Sequence, residues 1–318
     1  MSPQPLHVVF GAGQIGPRLV RRLLEHGCAV RVVRRGDTAP PAGAELVRGD
    51  ATDAKFAAEA TRGAAAIYHV MNPAEYSVRA WDEQLPRFMN AMVEAAARSK
   101  ARLVVLDNLY ALGRAGGTPI TEATPEAPVS RKGEIRLRVA NQLWDAHRRG
   151  DVRAICGRAS DFYGPGGVGT HFAEFLWTRV FAGKSAQMLV CPEHPHTYHF
   201  TEDVAAGLAA LGHAPDDAFG RWWALPCAPA VNTREMIAAM GRALGRDIPV
   251  ETMPALMRHV AGVFMPVLRE IGEMLYQWEQ PFVVDDSAFR ARFHLTGTPI
   301  DAGAKATVEW AKAVYGAK

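Results

Sequence analysis

Along the first half of the chain two kinds of apolar periodicity take turns. Short apolar runs at 7–10, 28–33, 44–47, 64–70, 102–106 and 152–156 have the length and β-branched content of buried strands. Between them lie stretches whose apolar residues recur at helical spacing. The longest, 81–98, sets Leu85, Phe88, Met89, Met92, Val93 and Ala96 on one face, with Pro86 near its expected first turn. Another, 132–149, turns Ile135, Val139 and Leu143 inward. Strand and helix in alternation predict a parallel sheet with helices on both faces. The alternation stops after Pro165. The pattern therefore predicts a doubly wound, parallel-sheet α/β fold of Rossmann type over residues 1–165. A smaller mixed α/β substrate lobe over 166–318 is expected to be partly interleaved with it.

In that second part, helical patterns run over 172–181, 201–211 and around 307–314. Residues 258–280 hold Val260, Phe264, Val267, Leu268, Ile271, Met274, Leu275 and Trp278 in helical register, broken only by Pro266, with Arg269, Glu270 and Glu273 on the other side. Such a stripe reads first as core. A pocket wall or a homodimer contact is the alternative.

The first strand runs into Gly11-Ala12-Gly13-Gln14-Ile15-Gly16-Pro17, a G-x-G-x-x-G spacing placed between a strand and a helix. Gly11 permits the sharp turn, Gly13 lets backbone approach a pyrophosphate, and Gly16 lets the helix pack on the strand. The helix N-terminus then favours the anion. Gly11, Gly13, Gln14, Ile15 and Gly16 are accordingly the phosphate-turn candidates. The second strand ends Arg31-Val32-Val33-Arg34-Arg35-Gly36-Asp37. Arginines stand where an NAD-binding fold carries its acidic ribose partner, so Arg34 and Arg35 point to NADP, with NAD the alternative. Asp37 comes a few residues late for the ribose role.

Composition narrows the partners. The chain has 318 residues, 48% of them hydrophobic, enough for a large core. Its 36 basic and 33 acidic residues leave a net charge of +3, which gives no electrostatic case for nucleic acid or a membrane surface. The four cysteines, Cys28, Cys156, Cys191 and Cys227, show no C-x-x-C spacing and read as reduced buried thiols of a cytoplasmic protein. No basic-then-apolar leader and no apolar run long enough for a bilayer is evident. In Cys191-Pro192-Glu193-His194-Pro195-His196-Thr197-Tyr198-His199, the histidines invite a metal reading. Two prolines and the lack of a second ligand cluster speak against it, so no metal is expected and the segment reads as a polar lip of a pocket.

Four further segments complete a pattern: Gly49-Asp50-Ala51-Thr52-Asp53, Tyr68-His69-Val70-Met71, Arg158-Ala159-Ser160-Asp161-Phe162-Tyr163-Gly164-Pro165 and Phe200-Thr201-Glu202-Asp203-Val204-Ala205. With the glycine turn, and in this order, they resemble the extended and atypical short-chain dehydrogenases/reductases, the group of NAD-dependent epimerases/dehydratases. The resemblance covers nearly the whole chain. It implies that Asp50 and Ala51 meet the adenine, that Met71 lies at the cofactor, and that Ala159, Ser160 and Asp161 line the nicotinamide end. The glycine turn is one residue shorter than the extended members' G-x-x-G-x-x-G, as in an atypical branch.

The same resemblance implies a Ser or Thr after the fifth strand and a Tyr-x-x-x-Lys pair in the next helix. Here Asp107 and Asn108 occupy the serine positions, Lys132 falls on the tyrosine and Arg136 on the lysine. Arginine stays protonated, so Arg136 can hold ribose hydroxyls but shuttles no proton. Lys132 donates a proton only if burial and the charge of Arg136 pull its pKa down. Tyr110 is a second candidate acid, with Asn108 two residues before it as holder of the substrate oxygen. The bland alternative makes Tyr110 a packing residue and Lys132 a solvated helix start. The expected function is an NADP-dependent reductase of a small, largely apolar carbonyl substrate. A non-catalytic NADP-binding sensor and a sugar-nucleotide epimerase or dehydratase are the alternatives.

Overall fold

The computed structural model describes residues 4–189, 191–253 and 266–316. The chain divides into two compact units. One comprises Met1–Ala111, Arg131–Ala159 and Val204–Leu225; the other comprises Leu112–Ser130, Ser160–Asp203 and Pro226–Lys318.

The first unit is built on β1 (Leu6–Phe10), α1 (Gly16–Glu25), β2 (Ala29–Arg34), β3 (Glu45–Arg48), α2 (Ala54–Ala60), β4 (Ala64–His69), α3 (Val78–Ser99), β5 (Arg102–Asp107), α4 (Arg131–Arg148) and β6 (Arg153–Arg158). With the short strand Trp222–Ala224 at one edge, the sheet order is Trp222–Ala224, β6, β5, β4, β1, β2, β3. Every pairing in it is parallel. Strand order reverses between β1 and β4, so the carboxyl ends of those strands form the switch point where such sheets take ligands. The fold is thus the doubly wound Rossmann type.

Local chemistry explains the elements. Val8, Val9 and Phe10 of β1 are wholly buried, which is why the central strand reads as a continuous apolar run instead of an alternation. α2 starts where the Asp53 carboxylate accepts from the backbone N–H groups of Lys55 and Phe56. α3 starts at Val78, a turn earlier than the apolar pattern predicts, because Ser77 caps it by accepting from the N–H of Ala80. That places Pro86 inside the helix instead of in its first turn. The helices α2, α3 and α4 pack side by side.

The second unit has two small parallel pairs, Asp161–Tyr163 with Tyr198–Phe200 and Ala186–Met188 with Val250–Thr252. Helices Glu174–Phe181, Thr233–Leu244 and Ile300–Tyr315 enclose a core of Phe172, Trp177, Met236, Met240, Val308 and Tyr315. Thr233–Leu244 opens with a reciprocal capping box between Asn232 and Glu235 and closes on Gly245 in the left-handed region. The apolar stripe at 258–280 falls partly outside the described residues. Its described part is a helix, Pro266–Gly272, followed by a 3-10 turn, Leu275–Trp278, that buries Tyr276 and Trp278. No helix among the described residues is long and apolar enough to cross a membrane. Cys28, Cys156 and Cys227 are buried as expected, whereas Cys191 is exposed.

Candidate functional site

β1 gives way to Gly11 at φ +111°, whose N–H still donates to the carbonyl of Val33 on β2 at 3.2 Å. A Cβ on Gly11 would stand 2.9 Å from the Val70 carbonyl oxygen, and one on Gly16 only 2.0 Å from the Gly11 oxygen. Nothing lies within 4 Å of such an atom on Gly13. The outer glycines close the turn and the middle one opens it, which suits close approach of an anionic group. Ile15, the N-cap of α1, offers no side-chain cap, and Pro17 brings no N–H. Gln14 Oε1 is buried there without a hydrogen-bond partner. Uncapped helix N–H groups fit a bound phosphate.

The neighbouring strand ends carry the groups expected beyond the pyrophosphate. Arg34 stands in register with Arg48 of β3, a second cation that the strand pattern alone did not single out. The Arg34 side chain folds back over Gly36 and donates to the Thr38 carbonyl at 3.4 Å; Arg35 is exposed. Asp50 accepts from the Thr52 N–H and hydroxyl, both at 2.9 Å. The Thr52 backbone bond holds this carboxyl below its ordinary range against the upward push of desolvation, with the Thr52 hydroxyl and the charge of Arg35 adding. Ala51 is buried beside it. Met71 covers the turn, its Cγ 3.1 Å from where a Gly11 Cβ would sit, and its N–H donates to His69 Nδ1 at 3.3 Å. Burial, with the charge of Arg136 second, lowers His69 to about 3, so the ring is neutral.

At the end of β5 the departures from the expected catalytic motif form one buried network. Asp107 accepts from Arg136 Nη1 at 3.1 Å and faces Arg158 Nε at 3.5 Å, with all three side chains at most 10% exposed. Arg136 also donates to Asn72 Oδ1 at 2.6 Å, and its guanidinium lies 4.5 Å over the Trp81 ring. Arg158 lies 5.0 Å over Trp222. The Ala159 N–H donates to the Asp107 carbonyl at 3.1 Å. Asn108 turns its oxygen back onto the Tyr110 N–H at 3.0 Å, which leaves its NH2 group as the outward donor.

Lys132, expected as either proton donor or solvated helix start, is fully buried, with Nζ 4.7 Å over the ring of Tyr76. The Tyr76 hydroxyl lies 3.4 Å from that of Tyr110, whose ring stacks on Trp81 at 5.9 Å. Asn108, Tyr110, Lys132 and Arg136 therefore belong to one packed surface of the first unit. Its further members, Asn72, Tyr76 and Trp81, lie on the segment after β4. Only long-range pairing brings them in, so local spacing could not have shown them.

Within the second unit, Ser160 and Asp161 sit on a separate polar hub. His196 Nε2 contacts Asp161 Oδ2 at 2.9 Å and Ser160 Oγ at 3.2 Å. The Ser160 N–H donates to His199 Nδ1 at 3.1 Å. The His196 ring stacks on Trp278 at 4.6 Å, and His171 approaches Asp161 at 3.8 Å. Burial pushes the Asp161 carboxyl up, but the His196 hydrogen bond and the histidine charges outweigh it and leave it lowered. His171 is lowered, chiefly by burial. Of the segment expected as a polar lip, His196 and His199 are fully buried, each with hydrogen-bond partners inside, while Cys191, Glu193 and Pro195 are exposed.

The model of the NAD dependent epimerase/dehydratase family matches residues 7–221. A UDP-glucose 4-epimerase of Streptomyces lividans is 29% identical over 150 residues, which are 43% of this chain and 45% of that enzyme, so the match spans just under half the length of each. Among solved structures, UDP-glucuronic acid 4-epimerase from Bacillus cereus in complex with NAD superposes with a TM-score of 0.77 at 13% identity, over 98% of this chain and 99% of that one. A double mutant of dTDP-glucose 4,6-dehydratase from Streptomyces venezuelae, with NAD and DAU bound, gives 0.77 at 18% identity and covers 98% of each chain. At these identities the structural likeness speaks for the fold.

Proposed function

Because the chain belongs to the NAD dependent epimerase/dehydratase family, we propose that it is an NADP-dependent oxidoreductase acting on a small, largely apolar carbonyl compound. The carrying observation is the cluster in which Lys132 Nζ lies 4.7 Å over the Tyr76 ring and the Tyr76 and Tyr110 hydroxyls are 3.4 Å apart. The family's tyrosine and lysine are absent from their usual positions, yet hydroxyl and ammonium recur side by side from other positions. Gly11, Gly13 and Gly16 would hold the pyrophosphate of a nicotinamide dinucleotide, which would supply the hydride when bound. Reduction builds negative charge on the carbonyl oxygen, and a positioned proton donor there is worth about two to four decades in rate. Tyr110 gives that proton and Tyr76 hands on its replacement, while the Lys132 charge favours the phenolate left behind. The Asn108 NH2 group holds the oxygen. Arg136 serves as ribose anchor, oriented by Asp107 and Asn72. Arg34, with Arg35 and Arg48 beside it, favours the 2′-phosphate of NADP.

The Streptomyces lividans relative supports a second reading, a sugar-nucleotide epimerase. One experiment separates the two. NADPH and NADH are incubated with aldehydes, ketones, quinones and enones, and separately with UDP- and dTDP-sugars. Net cofactor oxidation with a carbonyl compound supports the reductase; a new sugar epimer without net oxidation supports the epimerase. Tight NADP binding with neither outcome leaves a non-catalytic sensor and overturns the proposal.

A further inference from the structure

At the opposite end of the same sheet, where β1 and β2 begin, His7, Cys28 and His213 converge. Their ligand atoms all lie within 4.8 Å of one another. We propose that these three side chains form a structural site for a borderline-soft divalent ion of the zinc type. Cys28 Sγ and His213 Nε2 are 3.5 Å apart. A tetrahedral centre with a metal–sulfur bond near 2.3 Å and a metal–nitrogen bond near 2.0–2.1 Å sets its ligands about 3.5 Å apart, so this edge is already at coordination distance. The contact to His7 has to close by about an ångström. His213 is the exposed member.

The surrounding atoms prepare the two imidazoles. His213 Nδ1 meets the Ala209 carbonyl at 2.8 Å, which fixes the proton on that nitrogen and leaves the lone pair on Nε2, toward Cys28. His7 Nδ1 meets the Tyr68 hydroxyl at 2.9 Å, the outer partner that orients a ligating ring. Gly212 seats the segment: a Cβ there would fall 1.8 Å from the Tyr68 oxygen. The Arg102 cation is drawn to Asp216 at 3.1 Å, which tempers its repulsion of an incoming ion. His26 is exposed nearby, its ring 5.3 Å from that of His213. On binding, the Cys28 thiol yields its proton to solvent as the metal–sulfur bond forms. One thiolate with two imidazoles is the donor set of zinc-class ions, not of magnesium or calcium.

The site lies a strand's length from the glycine turn, roughly 15 Å by strand rise, so it ties β1, β2 and the end of the Thr201–Gly212 helix together without touching the cofactor end. The test uses the full-length protein stripped with a chelator and titrated with Co2+ as a spectroscopic probe, then with Zn2+. The expected result is one ion per chain, a thiolate-to-cobalt charge-transfer band with tetrahedral d–d intensity, and a zinc-dependent rise in Tm. Cys28→Ser abolishes the band, and His213→Ala weakens affinity by roughly tenfold or more, since even outer partners of metal ligands are worth about that much. Cys191→Ser, on the exposed cysteine, leaves both unchanged. His213→Ala alters an exposed side chain and keeps the fold. Absence of the thiolate band in the wild type, or its survival in Cys28→Ser, overturns the proposal. So does unchanged affinity in His213→Ala.

Discussion

Asp107 lies between two buried arginines, and replacing it with Asn tests what charge balance contributes to the first unit. At an effective dielectric of about 20, contacts of 3.1 Å to Arg136 and 3.5 Å to Arg158 are each worth about 5 kcal/mol of attraction. Relief of the carboxylate's desolvation offsets much of this. Breaking a buried pair from one side, with the partner left uncompensated, nets about 3–5 kcal/mol of destabilisation. Arg136→Met behaves differently. It leaves Asp107 paired with Arg158, keeps the volume over Trp81, and forfeits the hydrogen bonds to Asp107 and Asn72 with the cation–π stacking, which relief of the guanidinium's desolvation offsets in part, about 2–3 kcal/mol in all. Asp107→Asn is therefore expected to cost more than Arg136→Met by about 1–2 kcal/mol. For a unit of this size its Tm falls on the order of 10 °C. Hydrogen exchange of peptides covering β5 and β6 reads the local free energy without assuming that the two units unfold together. If Arg136→Met proves as costly as Asp107→Asn, packing over Trp81 and not charge balance governs the network, and the reasoning fails.

Arg34→Ala should lower NADP affinity by one to two decades while leaving NAD within about twofold, since a charge-assisted phosphate contact is worth about 1.5–3 kcal/mol; equal losses for both cofactors would refute the 2′-phosphate role. Tyr110→Phe and Lys132→Met should each slow turnover at least about tenfold with cofactor affinity unchanged, whereas Arg136→Met should raise the cofactor Kd; single-turnover kinetics beside cofactor titration distinguishes these. Acid should unfold the first unit through His69. Its folded pKa of about 3 lies below the ordinary 6.5, so the stability from its neutral ring is complete above pH 6.5 and is lost toward pH 3, by about 1.4 kcal/mol per pH unit. His69→Gln should flatten that slope by one proton in urea titrations at stepped pH.

What could be read from the sequence was whatever neighbours decide locally. Strands β1, β2, β4 and β5 fall within a residue or two of the apolar runs, because strands buried on both faces leave an uninterrupted signal. The glycine turn was legible for the same reason: Gly11 and Gly16 close on each other within six residues, and Gly13 between them stays open. The three-residue strands Asp161–Tyr163, Ala186–Met188 and Tyr198–Phe200 were not, since each is defined by a partner far along the chain. The start of α3 was missed although Ser77 announced it, because the apolar stripe that marked the helix begins only at Trp81. The site divides along the same line. The sequence shows that tyrosine and lysine are missing from their usual places, but not that Asp107 joins Arg136 to Arg158, or that Cys28 meets a histidine 185 residues on. These long-range contacts also make sense of the substitutions as a set. An arginine at 136 needs a buried anion, which Asp107 provides at the strand position where the family resemblance expects a hydroxyl. A lysine fully buried at 132 needs a face to receive its charge, and Tyr76 provides it with a hydroxyl attached. Each of the two departures in the helix thus has its counterpart outside it, Asp107 for the charge of Arg136 and the Tyr76 ring for that of Lys132, so both cations stay buried.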